Sequence, residues 1–207
     1  MSRYPIPAAR HRHEQVVERS RFICTLAPAV SAAEAHAVIR DVAAAMPDAH
    51  HHCWAFVAGA PGNTDLVGSN DDGEPRGTAG RPMLVALLHS GVGEIVAVVT
   101  RYFGGVKLGT GGLARAYGGV VQAAISTLPR IDRVATTPCE VTLAYAHVAA
   151  VQHLLPRYGV TVEAQRFDVA VHLELQVPVE QAAALVQAIG DATRGAAAVR
   201  LGAPADG

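Results

Sequence analysis

Apolar positions along the chain fall into short blocks separated by turn residues. Arg21 to Leu26 has the spacing of a strand, and a run of helical period follows from Ser31 to Met46. Ser31, with Glu34 three residues on, forms a capping box at its start, and Pro47 ends it. Two strands are predicted next, His52 to Ala58 and Asp65 to Ser69, joined by the turn-rich "GAPGNT". After the polar "NDDGEPRG", Thr78 is placed to cap a helix running to about His89, with Pro82 in the first turn, where no intrahelical N–H is required. "EIVAVVT" is continuously apolar, which predicts a strand buried on both faces near the middle of a sheet. Leu113, Tyr117, Val120, Ala124 and Leu128 then recur at 3, 4 and 7 spacing, giving a helix from about Gly111 to Leu128.

"PRIDRVATTP", residues 129 to 138, reads as a linker, because two prolines bracket charged and small residues without a helical period. Beyond it the pattern is a strand over Glu140 to Ala146, a helix over His147 to Tyr158, strands over Val160 to Arg166 and Val169 to Val177, a helix over Pro178 to Thr193 and a strand over Ala197 to Leu201. This β-α-β-β-α-β order is that of a ferredoxin-like split βαβ. The chain is therefore expected to be α+β, with two domains at 1–130 and 138–203 and a frayed end after Gly202.

Charge narrows the functional classes. With 17 basic and 18 acidic residues among 207, the net charge of −1 excludes a whole-molecule grip on nucleic acid and leaves only local patches. Between Glu94 and Asp132 there is no acidic residue, while Arg101, Lys107, Arg115 and Arg130 fall inside. No apolar run approaches the ~20 residues of a membrane span, and Met1 to Arg12 lacks a signal-peptide core, so a soluble, cytoplasmic protein without membrane contact is expected. Cys24, Cys53 and Cys139 are odd in number and widely spaced, and each lies in an apolar run, which favours buried thiols over disulfides.

"RYFGGVKLGTGGLARAYG", residues 101 to 118, is the segment richest in candidate chemistry. A Walker phosphate loop requires lysine where Thr110 stands, and the G-x-G-x-x-[GA] match of Gly109, Gly111 and Ala114 begins too far from the preceding strand. What remains is a helix start with Thr110 as N-cap, glycines at 104, 105, 109, 111 and 112, and charge from Arg101, Lys107 and Arg115 (Gly104, Gly105, Gly109, Gly111, Gly112). Free N–H groups at the positive end of a helix dipole suit an anion such as an RNA phosphate. The competing explanation is that the glycines serve tight turns and packing while the cations are merely solvated. "DDGEPRGTAGRP" repeats the logic, with Thr78 capping between Arg76 and Arg81. Its Asp71, Asp72 and Glu74 would either hold Mg²⁺ against a bound phosphate or pair with nearby arginines and order the loop. In "HHHC", residues 50 to 53, successive side chains alternate faces and do not close a zinc site, and His52 reads as a surface group beside Trp54. No local catalytic motif is present, and no spacing requires His52 to meet Asp71 or Glu74 for acid–base work.

"GVGEIVAVVTRYFGGVKLGTGGLARAYG" and "SNDDGEPRGTAGRPML", with "SRFICTLAPAV" and "PDAHHHCWAFVAGAP" before them, closely resemble the IMPACT/YigZ family. The resemblance implies an N-terminal βαβ sandwich sharing its fold with a small-subunit ribosomal protein, elongation factor G and the galactokinase group of kinases. It also implies a C-terminal domain like the last domain of elongation factor G. Eukaryotic relatives regulate translation by interfering with activation of a kinase that phosphorylates an initiation factor, and bacterial members are expected to contact nucleic acid or the ribosome. The expectation is a translation-linked protein that binds RNA, the ribosome or a regulatory protein without a cofactor. The alternative is an enzyme acting on a phosphorylated or nucleotide-like small molecule.

Overall fold

The computed structural model describes residues Arg3–Gly202, so the expected fraying after Gly202 lies outside the described residues. The fold is α+β in two compact units, one spanning Tyr4–Arg133 and one continuing from Val134.

The first unit is built on a five-stranded sheet of β2 (His11–Val17), β3 (Ser20–Pro28), β4 (His51–Val57), β5 (Val67–Asn70) and β6 (Ile95–Tyr102), in the order β2-β3-β6-β4-β5. All its pairs are antiparallel. The apolar run sits in β6 at the centre, and its alternation supplies both faces. Ile95, Ala97 and Val99 pack with Met83, Leu113 and Tyr117 from α2 (Gly80–Leu88) and α3 (Gly109–Ser126). Val96 and Val98 pack with Ala35 and Val42 from α1 (Ala32–Ala45). Ser31 caps α1 by accepting from the Glu34 N–H at 3.2 Å, while the Glu34 carboxylate reaches one residue further back than a capping box requires, to the Val30 N–H.

The segment expected to be a linker is strand. β7 (Arg130–Val134) pairs with β1 (Arg3–Pro7), and β8 (Thr136–Leu143) begins two residues later. β1 and β7 are held by a buried carboxylate: Glu94 Oε1 accepts from the Tyr4 hydroxyl at 2.8 Å and pairs with Arg133 at 3.1 Å. Burial, reinforced by the hydrogen bond to Glu94, pushes the Tyr4 phenol up to about 12.

In the second unit β8, β9 (Thr161–Phe167), β10 (Val171–Pro178) and β11 (Ala198–Leu201) form a sheet in the order β11-β8-β10-β9. α4 (Val148–Leu154) and α5 (Ala182–Thr193) cover one face around Val141, Leu173, Val151 and Leu185. This is the ferredoxin-like split βαβ. The expected helix over 147–158 is broken into α4 and flanking 3-10 turns, ending at Gly159 with φ +63°. The charges of the open face are matched in pairs, Arg166 with Glu174 at 2.6 Å and Arg200 with Glu140 at 3.8 Å.

Candidate functional site

The β6–α3 loop separates its glycines by purpose. At Gly104 a Cβ would collide with the Arg19 carbonyl, so glycine is what lets the loop approach the β2–β3 turn, and its N–H donates to Ser20 Oγ at 3.2 Å. Gly105 and Gly109 adopt φ +87° and +68°, which L side chains rarely adopt. A Cβ on Gly112 would press on Leu108 at 3.1 Å. Gly111 answers to none of these needs: a side chain there would meet only the Arg115 guanidinium, at 3.7 Å. Turns and packing explain most of the glycines, and Gly111 keeps the first turn of α3 uncovered.

Thr110 is not the N-cap. The chain enters α3 at Gly109, Leu108 occupies the cap position, and among the described residues no side chain accepts from the first amides. Lys107 and Arg115 flank this start. Both are exposed, and neither has a hydrogen bond or ion pair among the described residues. Two openings meet here, sharing Lys107 and Leu108. A cleft of about 600 Å³ runs between β2 and α3, its lining including Gln15, Val17, Glu18, Lys107, Gly112 and Arg115. A cavity of about 300 Å³ is lined by Glu74, Pro75, Arg101, Phe103, Thr110 and Leu113.

The start of α2 is closed. Asp71, in the loop before it, accepts from the N–H groups of Gly77 (2.7 Å), Ala79 (2.9 Å) and Gly80 (2.8 Å). Burial works to raise the Asp71 pKa, but the Gly77, Gly80 and Ala79 amides together outweigh it and hold the carboxyl below its usual range. Thr78 does not cap: its hydroxyl donates to the Pro75 carbonyl at 2.7 Å. Arg76 and Arg81 are exposed beside a helix end whose positive pole is already matched by Asp71.

Arg101 is not a surface cation either. The alternation of β6 directs it toward the α2/α3 face, where it is buried and bonds Glu74 Oε1 at 2.5 Å and Ser20 Oγ at 3.3 Å. Its guanidinium lies 5.3 Å from the Phe22 ring centre and 5.5 Å from that of Phe103. Tyr117 also donates to Glu74 Oε1, at 2.8 Å. Burial raises the Tyr117 phenol strongly, with Cys53 and Glu74 beside it adding to the effect.

The three acidic residues of the loop are thus engaged separately: Asp71 with amides, Glu74 with Arg101, and Asp72 with the His52 N–H at 2.6 Å. They do not form a shared Mg²⁺ site, and among the described residues no three His, Cys, Asp or Glu side chains converge to hold a metal. The alternation within "HHHC" is visible in the partners. His51 Nδ1 meets the Asp72 carbonyl and Cys53 Sγ donates to the Asp71 carbonyl, while His52 Nδ1 contacts Thr100 Oγ1 on the other face. Burial pushes the Cys53 thiol up to about 12, far from a reactive thiolate. His52 and Glu74 are therefore on opposite faces of the sheet. Instead His51 approaches Glu74, with Nε2 at 4.0 Å from Oε1. Trp54 stacks on Phe56 with His36 edge-on, so its ring is spent on packing against α1.

Sequence reasoning passed over Phe103, whose ring is 41% exposed at the cavity wall. An aromatic residue inside a glycine-rich, acid-free loop was the available signal. It also passed over β2, which supplies the far side of the cleft.

The Impact N-terminal domain family matches residues 18–125, and a Domain of unknown function (DUF1949) matches residues 141–196. The IMPACT family member YigZ of Escherichia coli (strain K12) is 40% identical over 195 residues, covering 94% of this chain and 96% of that relative. The chain belongs to the IMPACT family. An IMPACT family member of Haemophilus influenzae is 42% identical over 177 residues, covering 86% of each chain. A solved structure described as that of a hypothetical protein superposes with a TM-score of 0.74 at 39% identity, over 96% of this chain and 97% of the other. The match to the Impact N-terminal domain contains both helix starts, the β2–β3 turn next to Gly104 and the cavity beside α3. No helix among the described residues is long and apolar enough to cross a membrane.

Proposed function

We propose that the N-terminal domain binds single-stranded RNA, on the ribosome or free in the cytoplasm, as part of translation-linked regulation. A backbone phosphate sits at the first turn of α3. The observation that carries this reading is the difference between the two helix starts: the α2 amides are filled by Asp71, whereas those of α3 have no side-chain cap and stand between Lys107 and Arg115, both unpaired among the described residues. A phosphate there gains backbone donors, the helix dipole and two point charges together. The 600 Å³ cleft gives the adjoining chain a path past Arg115. Residues 95 to 131 contribute no acidic side chain to it, and Glu18 from the β2–β3 turn is the one carboxylate that lines it.

Binding of a labelled single-stranded RNA at rising salt tests the reading. Each phosphate contact on a single strand contributes about 0.7 to the slope of log affinity against log salt. Lys107→Ala and Arg115→Ala are each expected to weaken binding and flatten the slope by about that amount, with melting temperature unchanged. Unchanged slopes in both variants refute the phosphate assignment. The alternative, an enzyme acting on a nucleotide-like small molecule, draws on the same cradle, and the adjoining cavity is the feature that favours it.

A further inference from the structure

We infer that the 300 Å³ cavity beside the start of α3 is a base-recognition pocket selective for guanine. This deepens the RNA reading above and rests on it for the placement of the phosphate. The volume lies at the lower end of the ~300–1,000 Å³ range of small-molecule sites, room for one unstacked base and not for a duplex. Its walls are mainly apolar, from Pro75, Phe103, Leu108 and Leu113, and Gly109 and Thr110 of the α3 start form its rim. A phosphate on the α3 amides and a base in the cavity therefore belong to one nucleotide. Phe103 offers the stacking surface: Arg101 lies against the ring at 5.5 Å, and 41% of the residue is exposed. RNA-binding sites hold single-stranded bases by this kind of aromatic contact.

The polar part of the wall decides which base. It consists of Glu74 and Arg101, whose side chains are 4% and 6% exposed. Glu74 Oε1 is committed to Arg101 and Tyr117, while Oε2 has no hydrogen bond among the described residues. Arg101 Nε is a buried donor without a partner among the described residues. The carboxylate can only accept, and Tyr117 already donates its proton to Glu74. Guanine offers two adjacent donors on its Watson–Crick edge, N1–H and the N2 amino group. Adenine and cytosine offer one amino group next to an acceptor nitrogen that a carboxylate repels, and uracil offers one N–H between two carbonyls. With Oε1 filled, both guanine donors converge on Oε2, a contact the other bases cannot reproduce, and a discrimination of about tenfold is expected.

The experiment titrates the full-length protein with the four ribonucleoside 5′-monophosphates, with inorganic phosphate, and with single-stranded RNA that is all uridine or carries one guanosine. Wild type is expected to bind GMP at least about tenfold more tightly than AMP, CMP or UMP. Phe103→Ala, at a partly exposed position, is expected to weaken GMP binding about tenfold while still binding inorganic phosphate as wild type does. Equal binding of the four nucleotides by wild type, or GMP binding untouched by Phe103→Ala, overturns the pocket. If RNA binds with no preference for guanosine, the pocket falls and the RNA reading stands. If GMP is preferred and no RNA binds, the pocket stands for a free nucleotide and the RNA reading falls. If nothing binds, both fall.

Discussion

Two glycine-rich helix starts lie on the same face of the N-terminal sheet, and they are in opposite states. α2 begins after "DDGEPRGTA" and α3 after "YFGGVKL", each with nearby cations and a threonine within two residues of the helix start. Neither threonine caps. At α2 the carboxylate of Asp71 fills the amides from eight and nine residues upstream, as an internal anion. At α3 there is no such carboxylate, because the acid-free stretch provides none and Glu74 is held by Arg101 and Tyr117. Whether a glycine-rich helix start is open to a ligand depends less on its own residues than on whether an acidic side chain elsewhere in the loop reaches it.

The largest expected effect comes from removing the pair that keeps Glu74 in place. Arg101→Ala leaves a buried carboxylate without its cation, which costs about 3–5 kcal/mol and should unfold or severely destabilise the N-terminal domain in chemical denaturation. A variant as stable as wild type would mean that Arg101 is the surface cation its sequence context suggests.

Opening the closed start is the next largest. Asp71→Ala removes the acceptor for three amides and is expected to cost about 2 kcal/mol, the upper end for a lost helix cap. It should also turn α2 into a second anion site, so that added phosphate stabilises this variant more than wild type. The Asp71 carboxyl is held below the ordinary aspartate value of 3.8, so its contribution is present above that pH and is lost as pH falls through the lower, folded-state value. Wild-type stability should therefore fall below about pH 4 more steeply than that of Asp71→Asn, and parallel curves would show that the carboxylate does not act as the cap.

Gly111→Val probes the open start without altering charge. The position has room, so folding should be retained, but a branched side chain over the first turn blocks approach to the amides, and RNA affinity should fall about tenfold, roughly one charge-assisted hydrogen bond. Normal binding by this variant would reduce the site to Lys107 and Arg115 alone. The smallest effect is expected for Arg76→Ala with Arg81→Ala, beside the closed start, where RNA affinity should change by less than about twofold, within the range of an ordinary surface substitution.

Much of the fold was legible because its signals are local. "IVAVVT" has no polar residue before its end, which places β6 at the sheet centre, and the C-terminal strands alternate so cleanly that the split βαβ order can be read directly. β2 escaped because "HRHEQVV" is an edge strand with little apolar surface, and "RIDRV" resembled a linker because β7 is exposed along most of its length. The site was half legible. Lys107, Arg115 and the glycines stand out within an acid-free run. Arg101 looks the same in sequence, and only its partner Glu74, 27 residues away and delivered by a loop, shows that it is buried. Asp71 could not be recognised as a cap because a loop can bring an aspartate to a helix start from many distances, so no fixed spacing announces it.

The contrast between the two starts can be read in one titration. Backbone amide signals of isotope-labelled protein are followed while a short single-stranded RNA is added. The account predicts that Gly109, Thr110 and Gly111 shift along the binding curve while Gly77, Ala79 and Gly80, already bonded to Asp71, remain still. Shifts at Ala79 and Gly80 with α3 silent would contradict it.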